Sequence, residues 1–192
     1  NVRLLVAGSY KKVISNFFYA HKCIKNNHTL SEITGLIIGA WACEDTKGLM
    51  HAYQLLDEEI ENQFISDGGY KQFSFNYQRF ALQIIEFVLK IKSKTNLALS
   101  EQSKNLIKNS AMLMYQMQDD SGDVPNYGSN DGALIFPVTS CGYRDFRPVL
   151  NTIFTLIDGT RVYEPGDYDE ELLWFGNKNI EDIPYSIIKR TS

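Results

Sequence analysis

Two short polar segments of the sequence carry side chains suited to acid–base chemistry, and each lies at the edge of an apolar helical pattern. Residues 26–32 read Asn-Asn-His-Thr-Leu-Ser-Glu and contain Asn27 and His28. Residues 67–80 form the second segment and contain Tyr77. Together the two segments supply an amide, an imidazole and a phenol, a set that could bind a carboxylate and move protons on a sugar acid.

Asn27 and His28 stand where a helix is predicted to begin. A helix N-terminus presents unpaired N–H groups and partial positive charge, so it suits a carboxylate. The Asn27 amide could donate to that carboxylate, and His28 could exchange a proton near neutral pH. Structural roles are also open, since Asn is common at helix starts and His28 could pair with Glu32 one turn on. Glu32 fits a capping box with Thr29, which we favour, or an orienting partner of His28.

Tyr77 stands near the start of another apolar helical pattern. Its phenol has an ordinary pKa near ~10, so it needs help to act as a base. A neighbouring cation, such as Arg79 or a protonated histidine, could lower that pKa. Tyr77 is also in phase with Phe80 and Ile84, which leaves a core tyrosine as the structural alternative.

A third polar segment is the glycine-flanked loop of residues 119–132. Polar loop residues can line a cleft, although Asn, Asp and Gly are also the ordinary residues of turns. The residues of this loop that could line a cleft are Asn126, Tyr127, Asn130 and Asp131, and the first three are the candidate substrate contacts. Further along, Arg144 and Arg147 flank Asp145, which indicates an ion-pair cluster or, as the sharper alternative, a contact with an anionic sugar.

Composition excludes several classes of protein. The chain has 192 residues, enough for one core, and a net charge of −4, which argues against a nucleic-acid surface. No continuous apolar stretch of about 18 residues is present, so we predict no membrane span. Neither the three histidines nor the three cysteines show metal-ligand spacing, so we predict no metal site and no cofactor.

Apolar spacing predicts an all-α protein of helices joined by short polar connections. We expect helices over about 9–24, 30–44, 48–65, 74–93, 100–118 and 147–158. Residues 133–140 are short and apolar and could be helical or extended. The chain starts with Asn and shows no signal peptide, so we expect a processed chain or an excised fragment.

In this order, the three segments and the run Tyr-Arg-Asp-Phe-Arg-Pro at residues 143–148 resemble the heparinase II/III-like polysaccharide lyases of bacteria. The resemblance covers roughly residues 20–165. It implies an incomplete (α/α) toroid of antiparallel helical hairpins over residues 1–165. Residues 166–192 would then be an exit segment towards a C-terminal β-sandwich that this sequence lacks.

The resemblance also implies a reaction, the β-elimination of a uronic-acid-containing glycan such as a glycosaminoglycan or alginate. Asn27 would bind the uronate carboxylate, His28 and Tyr77 would be catalytic, and Glu32 would support His28. The implied substrate contacts are Arg79, Asn126, Tyr127 and Asn130. No cofactor is implied, the partner is an acidic polysaccharide, and the compartment would be periplasmic or extracellular. The missing β-sandwich usually supplies another catalytic residue, so we expect little or no activity from this chain alone.

Three other functions compete with this prediction. Gln78 stands where many family members have His, which favours a non-catalytic or differently acting relative in capsule or surface-polysaccharide production. A helical-toroid glycoside hydrolase would need two paired carboxylates, whereas the candidates Asp67, Asp123 and Asp131 lie in loops with no clear pairing. A plain helical interaction domain would leave the polar segments unexplained.

Overall fold

The computed structural model describes residues 2–176 and 179–188, and within them the chain folds into helices joined by turns and one long loop. Its α-helices are α1 (Val2–Tyr19), α2 (Asn27–Ala42), α3 (Thr46–Gln63), α4 (Phe75–Thr95), α5 (Glu101–Met117), α6 (Arg147–Asp158) and α7 (Glu170–Trp174). A π-helical turn, Ala20–Ile24, continues α1, and 3-10 turns lie at Asp167–Asp169 and Ile180–Asp182. The described residues contain only isolated β-bridges and no strand, so the predicted all-α class is confirmed.

Alternate helices pack side by side. α4 contacts α2 and α6, α3 contacts α5, and α1 packs on α2. The start of α2 and the end of α3 meet where Gln63 Nε2 donates to the Asn26 carbonyl over 2.8 Å. Gln72, just before α4, contacts Asn27 in the first turn of α2, and Arg79 near the start of α4 lies against Phe146 at the start of α6. α2, α4 and α6 therefore begin at the same end of the array.

The first turn of α2 differs from the prediction. The N-cap is Asn26, whose side chain accepts a hydrogen bond from the His28 backbone N–H over 2.9 Å, so the helix begins three residues before the predicted start. Thr29 is therefore inside the first turn and fully buried, and the capping box with Glu32 is wrong. The physical reason is that an Asn side chain preceding the helix satisfies the free N–H groups equally well.

Close approach of α1 to α2 depends on a glycine. A Cβ atom at Gly39 would lie 2.5 Å from the Tyr10 ring, whereas one at Gly35 would meet Val13 at an ordinary 3.8 Å. Tyr10 is also hydrogen-bonded to Asp45, the N-cap of α3, over 2.9 Å. The lack of a side chain at Gly39 thus lets α1 pack closely on α2 and also contact the start of α3.

The described part of residues 166–192 packs against the helices. Tyr168 and Leu172 are buried, and the Tyr115 hydroxyl donates to the Ile188 carbonyl over 3.1 Å. Residues 177, 178 and 189–192, part of the expected exit segment, lie outside the described residues. Residues 133–140 are irregular rather than helical.

Candidate functional site

The candidate site lies at the N-terminal end of α4, where the long loop crosses the helix start. Ser74 caps α4 by accepting from the Tyr77 backbone N–H over 3.2 Å, and its hydroxyl donates to the Ser129 carbonyl. The backbone N–H of Phe75 donates to the Tyr127 carbonyl over 3.1 Å. These bonds hold the loop directly over the first turn of α4.

Tyr77 is paired with a carboxylate of this loop. Its hydroxyl donates to Asp131 Oδ2 over 2.6 Å, while Asp131 Oδ1 accepts from Asn76 Nδ2 over 3.3 Å and from the Ala133 N–H over 3.1 Å. The hydrogen bond to Asp131, with burial and the negative charge, raises the pKa of Tyr77. The same hydrogen bond is the main cause that lowers the pKa of Asp131. Tyr77 in this arrangement keeps its proton, which it shares with Asp131 in a hydrogen bond.

Arg79 lies beneath this pair and not on the surface. Only 2% of the residue is exposed, and its guanidinium carbon lies 4.5 Å from the centre of the Tyr143 ring and 4.4 Å from that of Phe146. The guanidinium donates to Asn76 Oδ1 over 3.0 Å and to the Tyr143 and Ala133 carbonyls. The expectations that Arg79 contacts substrate and lowers the pKa of Tyr77 are therefore wrong, because the side chain is directed into the interior.

Arg79 nevertheless fixes the geometry of the site. A guanidinium can only donate hydrogen bonds, so the Asn76 carbonyl oxygen must face Arg79 and the Asn76 NH₂ group must face Asp131. This fixed amide holds Asp131 in place, and Asp131 in turn holds the Tyr77 hydroxyl. The order of contacts is thus Arg79, Asn76, Asp131, Tyr77.

Tyr143 is a second phenol of the site that the sequence did not single out. Its hydroxyl lies 2.7 Å from Asn76 Oδ1 and 2.6 Å from Asn130 Oδ1. Asn76 and Asp131 were also missed as members of one cluster. The only sequence signal for Tyr143 was its place in the arginine-rich run at 143–148, which we interpreted through the arginines alone.

The loop residues predicted to contact substrate lie next to the two phenols. Asn130 Nδ2 donates to Asn126 Oδ1 over 3.0 Å, and Arg144 Nη1 approaches the same oxygen at 3.4 Å. Tyr127 is half exposed and packs edge-on against Phe75, with 5.6 Å between ring centres. The structure therefore brings Asn126, Tyr127 and Asn130 to the same end of α4 as Tyr77.

The two arginines of the 143–148 run form ion pairs, as the structural interpretation predicted. Arg147 pairs with Asp145 over 2.7 Å, whereas Arg144 pairs with Asp123 of the loop over 2.8 Å. The ion pair between Arg144 and Asp123 is partly exposed and joins the end of the long loop to its beginning. Asp123 and Asp145 are each engaged by an arginine.

Asn27 is joined through Gln72 to the segment that leads into α4. Asn27 Oδ1 accepts from Gln72 Nε2 over 3.1 Å, and the Asn27 backbone N–H approaches Gln72 Oε1 at 3.3 Å. Gln72 precedes α4 by three residues, so this pair of contacts joins the first turn of α2 to the approach to α4. Asn27 is 6% exposed, whereas His28 is exposed.

Glu32 does not act as a cap, contrary to the interpretation we favoured. One of its carboxylate oxygens is buried without a hydrogen-bond partner among the described residues. Burial raises the pKa of Glu32, and the charge of His28 opposes that rise.

Gln78 binds the interior of the array instead of facing the loop. Its Nε2 donates to Ser110 Oγ over 2.7 Å and to the Gly68 carbonyl over 2.9 Å. Gln78 is buried and ties α4 to α5. Its side chain is therefore a structural contact in this fold.

Residues 2–176 and 179–188 contain no group of three or more His, Cys, Asp or Glu side chains arranged to hold a metal ion. None of the helices in those residues is long and apolar enough to cross a membrane.

In comparisons with known proteins, no protein family, curated protein or solved structure matches this chain significantly.

Proposed function

We propose that this chain carries part of the active site of a polysaccharide lyase, on an array of helical hairpins that forms an arc of an (α/α) toroid. One observation carries the proposal: the hydrogen bonds between Asn27 and Gln72, which are 45 positions apart, join two polar segments of the sequence. These are the segments that the resemblance to heparinase II/III-like lyases singled out. If each of the two segments had only a local structural role, contact between them would not be required.

The proposed substrate is an acidic glycan that contains uronic acid. The N-terminal ends of α2, α4 and α6 lie at one end of the array, where their partial positive charges favour a carboxylate. Asn27 supports this role because Gln72 occupies its oxygen, while its Nδ2 has no acceptor among the described residues. Asn126, Tyr127 and Asn130 would contact neighbouring sugars.

The proposed reaction breaks two bonds of the uronate and forms one. His28 removes the proton from the carbon next to the carboxylate, and Tyr77 donates its hydroxyl proton to the leaving glycosidic oxygen. The electron pair of the broken C–H bond forms the C4–C5 double bond as the C4–O bond breaks. The hydrogen bond from Tyr77 to Asp131 keeps the phenol protonated, and it must open before the phenol can donate to the leaving oxygen.

A non-catalytic glycan-binding protein is the second candidate, and one observation favours it. The Tyr77 hydroxyl already donates to Asp131, so a leaving oxygen must compete with a short 2.6 Å hydrogen bond. A protein that only binds glycans would tolerate this closed arrangement. The site would then recognise the glycan through the amides of the loop and the exposed ring of Tyr127.

The test uses the protein in its natural full length, with any domain that accompanies this chain. It is incubated with uronic-acid polysaccharides such as alginate, hyaluronan and heparan sulfate, and ultraviolet absorbance follows the unsaturated product. We expect absorbance to rise with at least one of them. We expect Tyr77→Phe and His28→Ala to reduce the rate at least ~100-fold, as for loss of a general acid or base.

Matched controls are available on exposed surfaces of other helices. Tyr19→Phe removes an exposed phenol from α1, and His51→Ala removes an exposed imidazole from α3. Both should leave the rate unchanged. Glycan binding without any absorbance change would favour the non-catalytic candidate, and absence of both binding and turnover would overturn the proposal.

A further inference from the structure

The hydroxyl of Tyr143 faces more hydrogen-bond acceptors than its one proton can serve. It lies 2.7 Å from Asn76 Oδ1 and 2.6 Å from Asn130 Oδ1. Arg79 donates to the Asn76 oxygen over 3.0 Å, and the Gly132 N–H donates to the Asn130 oxygen over 3.0 Å. Turning either amide would therefore set two donors against each other. Because short hydrogen bonds are nearly linear, only one of the two contacts of the phenol can be a full hydrogen bond.

The buried acceptor has the stronger claim to the Tyr143 proton. Asn76 is 3% exposed, and an unfilled acceptor costs more in the interior than one that water can reach. Asn130 is exposed, so a ligand could supply the proton that its oxygen lacks. With the phenol proton directed at Asn76, the oxygens of Tyr143 and Asn130 together await a donor from outside.

Asp131 adds a charged acceptor to this pair. Its carboxylate is exposed and follows Asn130 directly in the loop. The Asn76 amide joins the two parts of the cluster, because its oxygen contacts the Tyr143 hydroxyl while its Nδ2 donates to Asp131 Oδ1 over 3.3 Å. A hydroxyl group can donate to these oxygens, whereas an ionised carboxylate or sulfate has no proton to offer them.

The charges of the loop also disfavour an anionic group. Residues 119–132 contain four aspartates and no lysine or arginine. Arg144 pairs with this loop, and its donors are engaged within the protein. Its Nε and Nη2 contact Asp123 over 2.9 and 2.8 Å, and its Nη1 approaches Asn126 Oδ1 at 3.4 Å. A sulfate or carboxylate placed over the loop would therefore meet like charges at close range.

The start of α2 offers the opposite chemistry. Its N-cap is the neutral Asn26, and no acidic residue lies in its first turn. Beside it, Asn27 Nδ2 has no acceptor among the described residues. At the start of α4, by contrast, Asp131 of the protein already supplies a negative charge. The carboxylate of a sugar acid therefore fits the start of α2, and an uncharged sugar fits the start of α4.

We propose that the oxygens of Tyr143, Asn130 and Asp131 form a subsite for a neutral sugar with free hydroxyl groups, and that they select against sulfated sugars there. A sugar hydroxyl donates the proton that Tyr143 cannot supply to both amides. The substrate class is then an unsulfated glycan in which uronate alternates with a neutral sugar. This inference rests on the proposed function for the presence of a glycan but does not require turnover.

The first experiment uses glycans that share a backbone and differ in sulfation. Binding of chondroitin, chondroitin 4-sulfate and chondroitin 6-sulfate to the protein in its natural full length is measured by calorimetry, and heparosan with heparan sulfate repeats the contrast. We expect the unsulfated form to bind at least ~tenfold more tightly, since like charges repel the sulfated forms. Added salt should reduce this ratio, because it screens the repulsion. Equal or tighter binding of the sulfated forms would overturn the proposal.

The second experiment assigns the preference to the subsite. Asn130→Lys places a donor and a positive charge there, so the ratio of affinities should invert in favour of the sulfated glycans. Asn16→Lys makes the same change on the exposed surface of α1 and should leave the ratio as in the wild type. Tyr143→Phe should weaken binding of the unsulfated form ~fivefold, the effect of one lost hydrogen bond, without weakening that of the sulfated forms.

Asp131→Asn covers the case in which Asn130→Lys does not fold. It removes the negative charge and keeps an acceptor oxygen, so the ratio should fall towards one. A wild-type ratio in Asp131→Asn or in folded Asn130→Lys would overturn the subsite, even if the protein cleaves a glycan.

The subsite and the lyase reaction fail in different ways. A preference for unsulfated glycans without any cleavage rejects the lyase and keeps the subsite. Cleavage of alginate without binding of chondroitin, heparosan or hyaluronan keeps the lyase and overturns the alternating substrate class. Absence of binding to every glycan overturns both.

Discussion

Asp131 controls the protonation of Tyr77 at the scale of single residues. Its carboxylate accepts the phenol proton at 2.6 Å and is itself held by the Asn76 amide and the Ala133 N–H. The result is a phenol with a raised pKa beside a carboxylate with a lowered one. Both shifts stabilise the arrangement in which the proton stays on the phenol and the negative charge on Asp131.

Asp131→Asn should lower the pKa of Tyr77 towards its ordinary value of 10.0, because the substitution removes the negative charge that opposes ionisation of the phenol. The measurement is a pH titration of the ¹³Cζ signal of Tyr77. If the protein is a lyase, the alkaline limb of its pH–rate profile should move to lower pH in parallel. Asp182→Asn, an exposed change elsewhere, is the control, and an unchanged Tyr77 midpoint in Asp131→Asn would contradict the prediction.

At the scale of elements, the site depends on how the loop meets the start of α4. Gly128 has a φ of +77°, and a Cβ atom there would lie 1.9 Å from the Phe73 carbonyl oxygen. Gly132, in the same loop, has a φ of +82° but open space where its Cβ would be. Substituting each glycine by alanine therefore distinguishes two contributions to the free energy of unfolding: the cost of a positive φ and the cost of a steric clash.

We expect Gly132→Ala to lower the free energy of unfolding by about 1 kcal/mol, the cost of a positive φ for a residue with a Cβ. Gly128→Ala adds a steric clash and should cost about 3 kcal/mol. Urea denaturation measures both. The Tyr77 ¹³Cζ signal should move only in Gly128→Ala, since only that change lifts the loop that carries Asp131; equal costs for the two variants would contradict this.

At the scale of the whole molecule, burial is uneven from one helix to the next. α4 lies between α2 and α6 and is buried along most of its length, whereas Tyr10 is the only buried residue described in α1. Leu4, Leu5 and Phe18 of α1 are more than two-thirds exposed. Local stability follows the apolar contacts that an element makes, so α1 belongs to the least stable part of the described structure.

Hydrogen exchange followed by mass spectrometry should detect this difference. We expect backbone amides of α1 to exchange at least about tenfold faster than those of α4, because fewer buried contacts must open. Peptides from α5, which packs against both α4 and α6, are the internal reference and should resemble α4. Equal protection of α1 and α4 would show that something covers the exposed face of α1.

The helices themselves were largely determined by the sequence. Apolar residues repeating every three to four positions placed α3, α4, α5 and α6 within about two residues of their observed ends, because a helix that packs on a core must bury one stripe. The start of α2 was missed by three residues, since Asn26 and Thr29 are both acceptable caps and local sequence cannot choose between them.

Tertiary structure alone decided which polar groups meet. Tyr77, Asn126, Tyr127, Asn130 and Asp131 were recognisable from residue type. The pairing of Asp131 with Tyr77 and the presence of a second phenol, Tyr143, were not. Arg79 and Glu171 are 92 positions apart and line the same cavity, and no local sequence pattern indicates that they are neighbours. Periodicity is a property of neighbouring residues, whereas charge compensation and hydrogen-bond pairing depend on distances in space, and only the packing of helices and loop sets those.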